Sequence, residues 1–298
     1  MKYNWDLIIA NILFGVNYSI FVSLLGGWLT YRQLFLLQLL FGALIFTPYT
    51  IAKWGGRKLN LSEVAQLLSL AVLTTFGWLL LILWGGSLTS PMDMASVATL
   101  GPSFTLVVSY LLGRERVNAW RVLGIAISLA GGVLLISHRL SPNEGEGAAL
   151  GNIITMGATL AMAINTVAIK SQLARLGAAR LLGVIFGVGL ALALPLMGGE
   201  LLTIKLREVG AMQLAELGYL LILGTALPLY LLYIGVKRLS SIYSALYRYL
   251  QPLIAAAVIA LRGGKIFDEI NLAAGWVMIL GFLFLLSTRR TDSQIVIK

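Results

Sequence analysis

The sequence contains no cysteine and a single histidine, His138. The lack of cysteine excludes disulfides, thiolate metal ligands and cysteine nucleophiles. One histidine near the end of an apolar run cannot assemble a Ser-His-Asp triad or a histidine-based metal site within one chain. No glycine loop followed by lysine of the Walker type is present, so an ATP-driven pump is not expected. The sequence therefore predicts no catalytic residues, no metal and no cofactor.

Charged residues are also scarce: they make up 11% of the 298 residues, whereas 59% are hydrophobic. This is more apolar surface than a soluble fold of this length can bury. About 20 apolar residues in a helix cross a hydrocarbon core of roughly 30 Å. Because lipid offers no hydrogen bonds, each backbone amide must be paired within its own segment, which favours helices. We therefore predict an all-α integral membrane protein that spans the lipid bilayer several times.

Ten charge-poor runs of helical length are separated by short polar or glycine-containing loops. The runs cover residues 5–25, 31–51, 64–86, 91–112, 118–137, 149–169, 180–197, 214–236, 240–261 and 270–287. The first run is interpreted as a membrane helix and not as a removable signal peptide. Only Lys2 precedes it, it is long enough to span, and no small-residue cleavage site follows.

The lysines and arginines lie in the short loops between these runs, and the net charge is +10. If the N-terminus is cytoplasmic, fifteen of these residues face the cytoplasm, six face outward and Arg248 lies within a run. This bias follows the positive-inside rule, so both termini are predicted to be cytoplasmic. A nucleic-acid partner is not expected, because its binding surface would need these residues clustered on one folded face.

The two halves of the chain share residues at matching positions. A displacement of about 150 residues places Ser90 on Ser240, Pro102 on Pro252, Gly113 on Gly263 and Thr75 on Thr225, and one of 148 residues places Asn17 on Asn165. Each half holds five runs, an odd number, so the second half must enter the membrane with opposite polarity. We predict two inverted five-helix repeats, residues 1–140 and 149–290. Such repeats are typical of alternating-access transporters.

Four short motifs resemble those of a known family. They are SVATLGP at residues 96–102, LLGRERV at 111–117, YIGVKRLS at 233–240 and YLQP at 249–252. Both halves resemble the EamA domain of the drug/metabolite transporter superfamily, and the likeness covers nearly the whole chain. The resemblance implies ten helices as two inverted repeats in the bacterial inner membrane. It also implies export of amino acids, metabolites or drugs.

Two residues depart from the family pattern. Gln251 stands where many members carry glutamate before the proline, and Lys265 replaces the usual glutamate after the glycine. These departures argue against coupling centred on those two glutamates.

The first candidate site residue is Arg248, near the middle of the ninth run. An ionisable group at that depth is costly and normally faces a cavity or a partner. Its guanidinium can form paired contacts with a carboxylate, which favours an anionic group on the substrate. The alternative is that Arg248 extends to the membrane interface or pairs within the protein. Gln251 lies close by on the same run and is included in the predicted site.

Three further polar residues have two interpretations each. Asn17 and Asn165 lie within the first and sixth runs, where they either make hydrogen bonds between helices or contact substrate. Asp93 begins the fourth run just after Pro91. It either caps the helix N-terminus or serves as a proton-coupling site.

Aromatic residues complete the predicted site. Tyr230 and Tyr247 lie in the eighth and ninth runs, and Trp78 lies in the middle of the third run, away from the interfaces where tryptophan usually concentrates. They either pack between helices or line a cavity that suits an amphiphilic, aromatic or zwitterionic solute.

The resulting hypothesis is a secondary active transporter that exports small organic solutes, such as amino acids or related metabolites. Transport would proceed by alternating access around a cavity formed by the first, third, fourth, sixth, eighth and ninth runs. The alternative is an uncoupled channel or facilitator, since uncoupled passage requires no particular residue. An intramembrane enzyme or a scaffold is a third class, which the missing catalytic groups disfavour. We expect a monomer or a weak homodimer.

Overall fold

A computed structural model describes residues 4–25, 27–56, 58–113, 119–138, 147–205 and 209–263, with five further residues between 273 and 280. Nine long helices occur in this part of the chain, and it contains no strand. They are α1 Trp5–Leu25, α2 Tyr31–Ala52, α3 Leu61–Gly86, α4 Pro91–Leu111, α5 Ala119–His138, α6 Ala148–Ala168, α7 Ala178–Thr203, α8 Ala211–Arg238 and α9 Ser241–Leu261. A short helix, Lys170–Leu176, connects α6 to α7.

Eight of the described helices, all except α5, are long and apolar enough to cross a membrane. Each of the first nine predicted runs coincides with a helix to within a few residues. The prediction of an all-helical membrane protein is therefore confirmed. The tenth run, residues 270–287, falls almost entirely outside the described residues, and the five residues described there are helical.

Helices α4 and α9 begin and end in the same way. The Oγ atom of Ser90 accepts a hydrogen bond from the backbone N–H of Asp93 at 3.1 Å, and that of Ser240 accepts one from Tyr243 at 3.2 Å. Both helices end just before a glycine with positive φ, 66° at Gly113 and 73° at Gly263. Glycine reaches this left-handed conformation without the steric cost of a Cβ, so it ends a helix cleanly.

Helices α3 and α8 each contain a π-helical segment at their middle, Leu73–Leu80 and Leu220–Ala226. Thr75 and Thr225, which the displacement of about 150 residues aligns, lie in these segments. Each donates its hydroxyl proton to a backbone carbonyl, that of Ala71 at 2.7 Å and that of Leu220 at 2.9 Å. Segments of this kind are rare and often lie at functional sites.

Helices α2 and α7 pack closely along small residues. The ring of Phe186 lies against Gly42, where an added Cβ would come within 2.7 Å of the ring atoms. Phe46 stacks on the same ring, with centroids 6.1 Å apart and planes inclined by 8°. Gly183 approaches the backbone of Phe46, and the hydroxyl of Thr47 donates to the Gly183 carbonyl at 3.0 Å. Small residues thus let the two backbones approach, as is common between membrane helices.

Ion pairs tie the helix ends together. The guanidinium of Arg238, at the end of α8, lies 2.5 Å from the carboxylate of Asp6 at the start of α1. That of Arg262, just after α9, lies 2.6 Å from Glu216 in α8. In both pairs the carboxylate is buried and the arginine is partly exposed. Two further pairs join Arg175 to Glu63 and Arg32 to Glu200.

Candidate functional site

A cavity lies at the centre of the helix bundle. Every one of the six spans expected to form it contributes lining residues, and so does α2. The polar lining residues are Asn11, Asn17, Tyr18, Gln38, Thr159, Thr225, Arg248 and Gln251, and the other aromatic lining residues are Phe14, Phe21 and Trp78.

The space among these side chains is largely closed. Its volume is about 30 Å³. That is room for about two water molecules. A solute of amino-acid size therefore requires the lining side chains to move or the helices to separate.

Arg248 is positioned by a short 3₁₀ turn, Tyr247–Tyr249, within α9. Its side chain is 8% exposed, and its Cδ and Nη1 atoms lie against Gly101 of α4. An added Cβ on Gly101 would lie 2.9 Å from both atoms, so this glycine makes room for the guanidinium. No hydrogen bond or ion pair links Arg248 to another residue within the described ranges. Its charge is therefore available to the cavity.

Gln251 lines the same cavity, but both ends of its amide are occupied. Its Oε1 accepts a hydrogen bond from the Tyr18 hydroxyl at 2.6 Å, and its Nε2 donates to Asn11 Oδ1 at 2.7 Å. Asn11 in turn donates to the carbonyl of Leu7 at 2.8 Å. This chain of hydrogen bonds joins α1 to α9 beside Arg248. Tyr18 and Asn11 were not among the residues predicted from the sequence.

Asn17 and Gln38 present amides from α1 and α2. Asn17 Nδ2 donates to the carbonyl of Gly224 at 2.6 Å, and Gln38 Nε2 donates to Thr225 Oγ1 at 2.8 Å. The oxygens of both amides, Asn17 Oδ1 and Gln38 Oε1, are buried and have no hydrogen-bond partner in the described part of the chain. Gln38 was not predicted, although an amide in the middle of an apolar run is the same signal that identified Asn17.

Trp78 reaches the cavity from the π-helical segment of α3, and its ring meets that of Phe14 edge to face, with centroids 5.9 Å apart. Of the seven residues predicted to bind substrate, the structure thus brings four to the cavity. These are Arg248, Gln251, Asn17 and Trp78.

The other three predicted binding residues contact different parts of the bundle. Asn165 donates to the hydroxyl of Tyr233 at 3.2 Å, and the Thr74 hydroxyl lies 3.1 Å from its Oδ1, so it bonds between helices. Tyr230 stacks on Phe46, with ring centroids 6.3 Å apart. The hydroxyl of Tyr247 accepts a hydrogen bond from Asn4 at 3.1 Å.

Asp93 lies in the first turn of α4 and is 1% exposed. Its carboxylate accepts a hydrogen bond from the Thr89 hydroxyl at 3.1 Å, and the same hydroxyl lies 2.7 Å from Asn152 Oδ1 of α6. A carboxylate there complements the helix dipole. Asp93 is not among the residues that line the central cavity. Within the described ranges, no three histidine or acidic side chains are placed to hold a metal ion.

The sequence and the fold of this chain are similar to those of known proteins. The sequence model of the EamA-like transporter family matches residues 4–137 and 149–287. No curated protein matches the chain. A crystal structure of a protein that is 18% identical matches with a TM-score of 0.66, over 97% of this chain and 98% of the other. At this identity the likeness shows a shared fold and no more.

Proposed function

The chain belongs to the EamA-like transporter family, part of the drug/metabolite transporter superfamily, and we propose that it is a secondary active transporter of small organic solutes. The solutes are amino acids or related metabolites, and the direction is export. Transport proceeds by alternating access around the central cavity. The observation that carries this proposal is the guanidinium of Arg248, which is buried beside the cavity without a counter-ion among the described residues.

We further propose ten spans arranged as two inverted repeats, residues 1–140 and 149–290. The two ranges matched by the family support this division. So do the matching caps at Ser90 and Ser240 and the π-helical segments that hold Thr75 and Thr225. The distribution of lysine and arginine supports cytoplasmic termini in a bacterial inner membrane. We also propose that the protein is a monomer or a weak homodimer.

Arg248 binds the carboxylate of the solute in this proposal. A guanidinium matches the shape of a carboxylate and makes two parallel charge-assisted hydrogen bonds with it. Both groups leave water when they meet, and a buried charge without a partner is expensive. Binding of the carboxylate therefore relieves the cost of the unpaired arginine. Asp93 is the coupling residue that we propose, supported by its burial and by its link through Thr89 to Asn152 on α6.

Counterflow in proteoliposomes tests the transport mechanism. Vesicles are loaded with unlabelled amino acid, and uptake of the labelled compound is followed. A carrier shows saturable uptake that internal solute accelerates. Fast, non-saturating flux without this acceleration would instead support an uncoupled channel or facilitator.

The role of Arg248 is tested in the same assay. Arg248→Ala should lower transport of a carboxylate solute at least about 30-fold, because truncating one partner of a buried charge pair costs at least about 2 kcal/mol. Arg32→Ala is the matched control, since this arginine is half-exposed at the start of α2 and should keep its activity. Unchanged transport in a well-folded Arg248→Ala protein would remove Arg248 from the site.

Topology tags test the inverted repeat. Tags inserted after Gly56 and after Asn143 follow two and five predicted spans, so they should lie on opposite sides of the membrane. Tags on the same side would contradict an odd number of spans in the first half.

A further inference from the structure

The π-helical segment of α8 determines the orientation of two amides that line the cavity. Within this segment, Gly224 offers its carbonyl to Asn17, and Thr225 offers its hydroxyl oxygen to Gln38. Both amide side chains are 1% exposed. Each is therefore held by one hydrogen bond from the same turn of helix.

The positions of the protons fix which end of each amide makes a hydrogen bond to α8. The carbonyl of Gly224 can only accept, so Asn17 must direct its NH₂ group towards it. The hydroxyl of Thr225 has one proton, which it donates to the carbonyl of Leu220 at 2.9 Å. Its oxygen can then only accept from Gln38, so Gln38 must also direct its NH₂ group towards α8.

In this arrangement the oxygens of both amides lack a hydrogen-bond donor. Asn17 Oδ1 and Gln38 Oε1 are buried acceptors without a donor in the part of the chain that the structure describes. A buried polar atom without a partner destabilises a protein, so an acceptor of this kind is normally matched by water or by a ligand. Arg248, on the same cavity, carries only donors. The residues that line the cavity thus include a cation that suits a carboxylate and two amides whose oxygens lack a donor among the described residues.

The repeat supplies an internal comparison. Asn165, which a displacement of 148 residues aligns with Asn17, has both ends of its amide within hydrogen-bond distance of protein groups. It also lies outside the cavity lining. The Thr74 hydroxyl near Asn165 Oδ1 also lies 2.7 Å from the carbonyl of Leu70, which takes its one proton, so the two asparagines differ in their location relative to the cavity and in the partners of their NH₂ groups.

We propose that Asn17 and Gln38 form an acceptor pair that binds the ammonium group of the solute while Arg248 binds its carboxylate. This deepens the proposed function and rests on it. An ammonium has three donors and no acceptor, so it complements two amide oxygens, and the indole of Trp78, which attracts cations, lines the same cavity. The pair selects an amine-bearing carboxylate over the same carboxylate without its amine, because the analogue leaves both oxygens unpaired.

Binding measurements on the purified protein test the pair. The proteinogenic amino acids are screened by ligand-dependent thermal shift, and the tightest binder is compared with its deamino analogue by calorimetry. The wild type should prefer the amine-bearing compound at least about 100-fold, below the ~10⁴-fold that fully buried polar sites reach. No binding by any amino acid, or equal affinity for the two compounds, would overturn the proposal.

Three variants test whether the Gln38 amide binds the amine of the solute or only packs within the protein. Gln38→Leu should lose most of the preference while affinity for the deamino analogue changes less than about threefold. Thr225→Val nearly preserves shape but frees the Gln38 amide to turn, and should lower the preference about tenfold, the effect of one hydrogen bond. Thr75→Val removes the equivalent hydroxyl from α3, where it holds no amide, and should keep the preference.

The remaining outcomes distinguish the two proposals. If Gln38→Leu weakens both compounds equally, or changes neither, the amide oxygens serve packing or hold only water, and the acceptor pair is wrong. Arg248→Ala should weaken both compounds, because both carry the carboxylate. If it weakens neither, the carboxylate site of the proposed function fails, whatever the result at Gln38.

Discussion

Replacing Arg248 with methionine should make the empty protein more stable while it abolishes ligand binding. Methionine is unbranched and of similar length, so it can occupy the channel beside Gly101 that the arginine uses. The guanidinium is 8% exposed and lacks a hydrogen bond or ion pair among the described residues. Its burial is therefore a cost to the folded state, which an apolar side chain removes.

The size of the effect follows from known magnitudes. Replacing a buried ion pair with apolar residues of similar volume is neutral or stabilising by about 1–4 kcal/mol, and an unpaired arginine lacks the attraction that offsets part of its burial. The cavity has room for about two water molecules, which reduce this cost, so we expect about 2 kcal/mol. At about 2 °C per kcal/mol for a chain of this size, the melting temperature should rise by about 4 °C. A ligand at 100 times its Kd should stabilise the wild type by about 2.7 kcal/mol and the variant not at all.

The assay is thermal unfolding in nanodiscs with and without the amino acid that the wild type binds. Without ligand the variant should melt above the wild type, and with ligand this order should reverse. Arg262→Met is the matched control, because this arginine is paired with Glu216 at 2.6 Å and its loss strands a buried carboxylate. It should lower the melting temperature. If Arg248→Met also lowers it, then Arg248 is a structural residue paired within the protein, and the reasoning above is refuted.

Two further predictions concern stability and use the same measurement. Arg238→Ala should destabilise the protein by about 1–3 kcal/mol, since it strands the buried carboxylate of Asp6, whereas Asp6→Asn should cost less than about 1 kcal/mol because Arg238 is 55% exposed. Equal losses would contradict this asymmetry. Gly42→Ala should cost about 1–3 kcal/mol, since the new Cβ meets the ring of Phe186, whereas Gly218→Ala, with no atom within 4 Å of its new Cβ, should cost nothing. A tolerated Gly42→Ala would show that α2 and α7 can separate slightly.

The membrane helices were predictable from the sequence because lipid imposes a local rule. A spanning segment must be apolar, about 20 residues long and internally hydrogen-bonded, so composition alone locates it. The ends were predictable for a similar reason. Ser90 and Ser240 cap α4 and α9, and Gly113 and Gly263 follow them, so each boundary depends on residues within a few positions of it.

The site residues were only partly predictable. Arg248 was identified because a charge within an apolar run is costly wherever the helix packs. Its neighbour Tyr247 was predicted on weaker grounds and contacts Asn4 instead of the cavity. Successive residues in a 3₁₀ turn point about 120° apart, so these two neighbours do not face the same space. Which face turns inward depends on the packing of the other helices, and a single run does not reveal it.

The sequence by itself determined that this chain is a helical membrane protein, where most of its helices lie and which family it belongs to. These properties depend on composition, on residues close together in the chain and on motifs that stay within one helix. Only the tertiary structure decided that Gln38 joins Asn17 and Arg248 at one cavity, and that the oxygens of both amides lack a donor among the described residues. That outcome depends on a π-helical turn about 190 residues further along the chain, which directs the two NH₂ groups towards α8. Contacts between such distant residues arise only when the helices pack.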